Sequence, residues 1–88
     1  MSSKDYRKRL DELADKINDE TPYEVIMTKG KEMIDISIHA KPYITNQTFQ
    51  AEHYNFISLT NDSAKTIQNE IDILETYYRH GIEESVTA

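Results

Sequence analysis

Residues 33–59, MIDISIHAKPYITNQTFQAEHYNFISL, decide the architecture. In the first half Ile34, Ile36 and Ile38 alternate with Asp35, Ser37 and His39, the period of two that marks a half-buried strand. In the second half Ile57 and Leu59 alternate with Phe56 and Ser58. Were the first strand to stop at Pro42, residues 40–52 would form a structureless loop of a length uncommon inside a compact domain. A hairpin turning on Asn46-Gln47 removes that loop. It pairs Thr45 with Thr48, Ile44 with Phe49, Lys41 with Glu52, Ile38 with Asn55, Ile36 with Ile57 and Ile34 with Leu59, matching hydroxyl, apolar and opposite-charge partners. Asn-Gln is a weaker turn than Asn-Gly, and Pro42 has no amide to give a ladder, so an edge, bulge or break is expected there.

Upstream, Tyr23, Val25 and Met27 alternate with Glu24, Ile26 and Thr28 until Lys29-Gly30 interrupts. A loop of even length sets Val25 opposite Ile34 and Tyr23 opposite Ile36, keeping the apolar residues on one face. The same register sets Glu24 against Asp35, an unfavourable like-charge pair.

A helix flanks the strands on each side. Tyr6, Leu10, Leu13, Ala14 and Ile17 recur at three and four, with Ser2 or Ser3 as N-cap and Asn18, Asp19 and Pro22 as the stop. Ala64, Ile67, Ile71, Leu74 and Tyr78 repeat in the same way, widened by Ile73 and Tyr77. Thr60 or Asn61 would cap this helix, and His80-Gly81 would end it. The expected organisation is one domain over residues 1–88: helix 3–18, strands 23–28, 32–45 and 48–59, helix 61–80 and a polar tail 82–88. The expected fold is α+β, a two-layer sandwich in the order helix-strand-strand-strand-helix, with a three-stranded antiparallel meander and both helices on one face.

Composition narrows the function. The chain has 88 residues, 16 acids against 10 bases, a net charge of −6, 38% hydrophobic side chains and no cysteine. A domain this small buries only roughly 60 to 65% of its unfolded surface, so its stability is modest. Without cysteine there is no disulfide framework and no thiol nucleophile, which makes the cytoplasm the default setting. No apolar run is long enough for a membrane span, and no apolar segment follows the basic start as a signal peptide requires. The acidity argues against binding to phosphate backbones. Lys4, Arg7, Lys8 and Arg9 do form a local basic cluster, read here as a solvated helix start paired with nearby acids.

The residues that could carry chemistry are few. Asp35, Ser37 and His39 have the side-chain types of a hydrolase triad, but alternate strand positions lie roughly 6.5 to 7 Å apart along the axis. A nucleophile and base need about 3 Å, and no glycine-rich oxyanion segment accompanies them. His39, His53, Glu24 and Asp35 lack any metal-ligand spacing. No catalytic residue, metal or cofactor is expected.

The uncovered sheet face would carry Ile26, Met33, Asp35, Ser37, His39, Tyr54, Phe56 and Ser58, a mixture of apolar and polar groups suited to contact. Of six tyrosines, Tyr6, Tyr23 and Tyr78 fall on buried stripes, whereas Tyr43, Tyr54 and Tyr77 have no place inside. The candidate binding residues are therefore Ile26, Met33, His39, Tyr43, Phe49, Tyr54 and Phe56. They imply a non-enzymatic protein-binding module acting by occlusion on a protein partner with a basic surface, with a homo-oligomeric assembly subunit or homodimer as the alternative.

The order of elements over Leu10 to Tyr78 resembles that of the double-stranded-RNA-binding domain. That family presents lysines at the start of its second helix. Here Asp62-Ser63-Ala64-Lys65 has one lysine and one acid, with Glu70, Asp72 and Glu75 following, so only topology is shared and nucleic acid is disfavoured. In composition the short, acidic, isoleucine- and tyrosine-rich chain is similar to small bacteriophage-encoded inhibitors of host or defence proteins, which implies an inhibitory role.

Overall fold

The computed structural model describes residues 3–40 and 51–87, with side chains described over 5–40 and 51–84. Helix α1 spans Ser3–Glu20, strands β1, β2 and β3 span Tyr23–Lys29, Met33–Ala40 and His53–Ser58, and helix α2 spans Ala64–Thr87. The strands form one antiparallel sheet in the order β1-β2-β3. Both helices cover one face. Tyr6, Leu10, Leu13, Ala14 and Ile17 of α1 share a single core with Tyr23, Val25, Ile34, Ile36, Ile38, Ile57 and Leu59 from the sheet side and Ile67, Ile71 and Leu74 of α2. The α+β arrangement read from the sequence is the observed one.

The faces agree with the alternation, but both registers differ. Val25 pairs with Ile38 and Met27 with Ile36, so the β1–β2 turn centres on Lys31-Glu32 rather than on Lys29-Gly30. The Gly30 amide donates to Met33 O at 2.8 Å, and Arg7 of α1 donates to the Gly30 and Lys31 carbonyls at 2.9 and 2.7 Å. This register separates the like charges, because Glu24 now pairs with His39 and Asp35 with Thr28. On the other side Ile34 pairs with Ile57, Ile36 with Asn55 and Ile38 with His53, a slip of two from the expected ladder. Both slips are even, which is why every side chain keeps its face. Strand β2 is described to Ala40 and β3 begins at His53. The expected turn at Asn46-Gln47 and the pairs through Lys41, Ile44 and Thr45 lie outside the described residues.

The α2 boundaries need two corrections. Ser63, not Thr60 or Asn61, is the N-cap: its Oγ accepts the Thr66 amide at 3.2 Å and its carbonyl accepts the Ile67 amide at 3.1 Å. Asn61 instead donates its amide to Ser58 Oγ. At the other end the helix runs through Gly81 to Thr87, replacing both the stop and the polar tail. Gly81 is buried, and a Cβ there would lie 2.5 Å from the Thr21 Cβ. The glycine lets the helix approach the α1–β1 connection, which a C-terminal cap would not require. Ala64, counted in the apolar stripe, is exposed at the helix start.

Side chains occupy backbone groups along both sheet edges. On β1, Asn18 of α1 accepts the Val25 amide at 2.6 Å and donates to the Val25 carbonyl at 3.2 Å, as a neighbouring peptide would. On β3, Asn55 Oδ1 accepts the Phe56 amide at 2.9 Å and Asp62 accepts the Ser58 amide at 2.8 Å.

Candidate functional site

The outer face of the sheet carries the residues nominated for contact. In the register found, Ile26, Ser37 and Tyr54 form one row, Thr28, Asp35 and Phe56 the next, and Met33 pairs with Ser58. Ile26, Met33, Tyr54 and Phe56 are 37%, 48%, 61% and 52% exposed, so four large side chains meet solvent around a polar centre of Asp35 and Ser37. Neither α1 nor α2 lies over them, since both pack on the core face. The Asp35 carboxylate beside Tyr54, followed by partial desolvation, raises its phenol above the ordinary value. His39 shares this face in sequence phase, yet it is buried. It belongs to the base of the face and not to its contact surface. Tyr43 and Phe49 lie outside the described residues.

His39 also departs from the strand-spacing argument. Its Nε2 lies 2.9 Å from Ser37 Oγ, because the ring leans along the strand and closes the axial gap. A serine and a histidine are thus within hydrogen-bond reach of each other. His53 projects to the other face. Among the described residues no cluster of three or more His, Cys, Asp or Glu side chains is arranged to hold a metal ion.

The inner face holds a polar group that the sequence reading missed. Glu70 of α2 is 1% exposed, and its Oε1 lies 2.7 Å from His53 Nε2 while its Oε2 accepts a 2.9 Å hydrogen bond from Asn55 Nδ2. Both partners come from β3, at the positions in phase with Ile57. Glu70 itself falls on the apolar stripe between Ile67 and Ile71, and that placement was the available signal. A carboxylate on a buried helical face needs donors from the opposing strand, and His53 and Asn55 are the polar residues of that phase.

The basic cluster at the start of α1 is largely engaged. Arg7 holds the β1–β2 turn, and Arg9 reaches Glu75 at 3.4 Å and Glu12 at 3.8 Å. Lys8 is exposed. Nothing in this arrangement forms the continuous basic track that phosphate binding needs.

Tyr23 and Tyr77 have phenols raised above the usual value, first by burial and then by carboxylates, Glu84 beside Tyr23 and Glu52 beside Tyr77. A raised pKa means that the folded chain holds these protons more tightly than the unfolded chain. Their contribution to stability is complete below the unfolded phenol value near about pH 10 and is lost as pH rises through the higher folded values. Urea midpoints measured from pH 8 to 11 are therefore expected to fall at the alkaline end, and less steeply in Tyr23→Phe and Tyr77→Phe. Identical slopes in all three proteins would remove the phenols as the cause.

No helix among the described residues is long and apolar enough to cross a membrane. No protein-family model, curated protein or solved structure matches the chain.

Proposed function

We propose that this chain is a small non-enzymatic protein-binding module that covers a functional surface of its partner with the outer sheet face. The observation that carries the reading is the exposure of Ile26, Met33, Tyr54 and Phe56 together on a face that neither helix shields. Isolated exposed apolar residues are ordinary, but a group on one flat surface with two aromatics matches the make-up of interface centres. Asp35 and Glu24 add negative charge to the same side, and the net charge of −6 favours encounter with a basic partner. The mechanism is occlusion: the three-stranded sheet is backed by a continuous core, so its outer face can lie over a groove of the partner. An inhibitor of a host or defence protein fits this mechanism, and the compositional likeness to bacteriophage proteins supports it.

The test is affinity capture from the native host with the intact chain and with Tyr54→Ala/Phe56→Ala. Both positions are more than half exposed, so the double variant is expected to keep its circular dichroism spectrum and melting temperature. Removing two central aromatics is expected to weaken capture of a basic partner at least roughly a hundredfold, given losses of about 2 kcal/mol or more at such anchors. Undiminished capture by the variant would remove the face from the mechanism. Sedimentation over a concentration range separates the competing reading: a dimer dissociated by the same two substitutions would make the face a self-association surface.

A further inference from the structure

Tyr23, Glu52, Thr76, Tyr77 and His80 line a pocket of about 400 Å³ where α2 passes the start of β1 and the residue before β3. The outer-face reading makes no use of it. Its walls are aromatic. The rings of Tyr23 and Tyr77 stand at 87° with centroids 5.3 Å apart, and His80 stacks beside Tyr23 at 6.4 Å and 29°. Tyr23 is buried and its edge-to-face contact fixes the Tyr77 ring, so the aromatic surface open to a ligand is that of the partly exposed Tyr77 and the exposed His80, beside Glu52.

Such a surface alone would take any apolar group, and the surrounding charge makes the choice. Glu52 is an exposed lining residue, and Glu84 lies behind the wall, its Oε1 accepting the Tyr23 hydroxyl at 3.4 Å. The upward shifts of the Tyr23 and Tyr77 phenols, partly from these carboxylates, agree with a negative local potential. His80 Nε2 lies 2.9 Å from Glu84, so any positive charge on its ring is matched there.

We propose that this pocket binds a guanidinium group, presented by an arginine side chain of a protein partner. A guanidinium is planar and weakly hydrated, stacks on aromatic faces, and offers a fork of donors to a carboxylate such as Glu52. An ammonium gives up more hydration to enter, and a neutral group forgoes both attractions. The volume is in the range of small-ligand sites and leaves room for the methylene stem behind the charged head.

The full chain is titrated with N-acetyl-arginine amide and, separately, with the uncharged N-acetyl-citrulline amide, following the tyrosine and histidine ring signals by NMR. Saturable shifts confined to Tyr23, Tyr77 and His80 are expected with the arginine probe and not with citrulline. Glu52→Gln, an exposed substitution, is expected to weaken binding roughly fivefold, the upper range for one surface charge pair. Lys41 follows Ala40, the partner of Tyr23 in the ladder, so the titration is repeated on Lys41→Met to remove an internal cation. Equal shifts with citrulline, indifference to Glu52→Gln, or no saturation in either chain overturns the proposal. Binding retained in Tyr54→Ala/Phe56→Ala separates this pocket from the outer face.

Discussion

Replacing Glu70 with alanine is expected to cost about 3 kcal/mol of stability, because two hydrogen bonds to one buried side chain are lost together and each group left without a partner costs about 1 to 3 kcal/mol. The substitution removes the acceptor for both His53 and Asn55 and leaves their donors facing an apolar core. His53 is partly exposed, with 20% of its side chain reaching solvent, so some water can follow and the full upper penalty does not apply. A chain of this length has roughly 4 to 13 kcal/mol of total stability, so the loss is a large fraction of the whole. Replacing all three polar groups together, Glu70→Leu with His53→Leu and Asn55→Val, is expected to cost less than Glu70→Ala, since no buried side-chain donor then remains without a partner and the Phe56 amide released by Asn55 lies at the sheet edge, where water can reach it. Urea denaturation of the two variants checks both statements. A Glu70→Ala cost under about 1 kcal/mol would mean that the carboxylate is hydrated, and not held by β3.

Gly81→Ala is the second large effect, and here two physical terms oppose each other. In a helix interior alanine is favoured over glycine by about 1 kcal/mol. The new methyl group, however, would sit 2.5 Å from Thr21 Cβ and 2.8 Å from its Cγ2. Thr21 cannot turn aside easily, because its hydroxyl donates to Ile17 O at 2.7 Å and accepts the Tyr23 amide at 3.1 Å. Overpacking of this kind costs about 1 to 3 kcal/mol and at this separation belongs at the high end, so the net loss is about 1 to 2 kcal/mol. In a Thr21→Gly background the clash is gone, and the same change at position 81 is expected to stabilise. A double-mutant cycle by thermal denaturation reads the reversal of sign. Stabilisation by Gly81→Ala in the natural background would show that the helix can shift away.

These two positions also mark where sequence reasoning reached its limit. Hydrophobic period identified the faces of all three strands, the α1 stripe from Tyr6 to Ile17 and most of the α2 stripe, because burial acts on every residue of an element at once. Register is a different matter. An even slip leaves the pattern of faces unchanged, so alternation could not separate Val25–Ile38 from Val25–Ile34, and Lys29-Gly30 looked more like a turn than Lys31-Glu32. The repulsion between Glu24 and Asp35 in the expected register was the clue that it was displaced.

Gly81 was read as a terminator because glycine after histidine usually is one. Its actual role depends on Thr21, sixty residues earlier in the chain, which no local pattern reports. Glu70 was legible in principle, standing between Ile67 and Ile71, but acids on the exposed side of α2 masked its phase. Of the nominated contact residues, Ile26, Met33, Tyr54 and Phe56 lie exposed on the outer face, while burial removes His39 from it.

Asn18, Asn55 and Asp62 have a consequence beyond local hydrogen bonding. Each spends a side chain on a rim amide that an incoming extended segment would otherwise seize, so a fourth strand finds those positions already taken. Ribbon-like stacking is discouraged, and so is recognition of a ligand through its main chain alone. On the proposed reading of the outer face, selectivity then rests with its exposed side chains, Ile26, Met33, Tyr54 and Phe56, where substitutions retune recognition without disturbing the scaffold behind them.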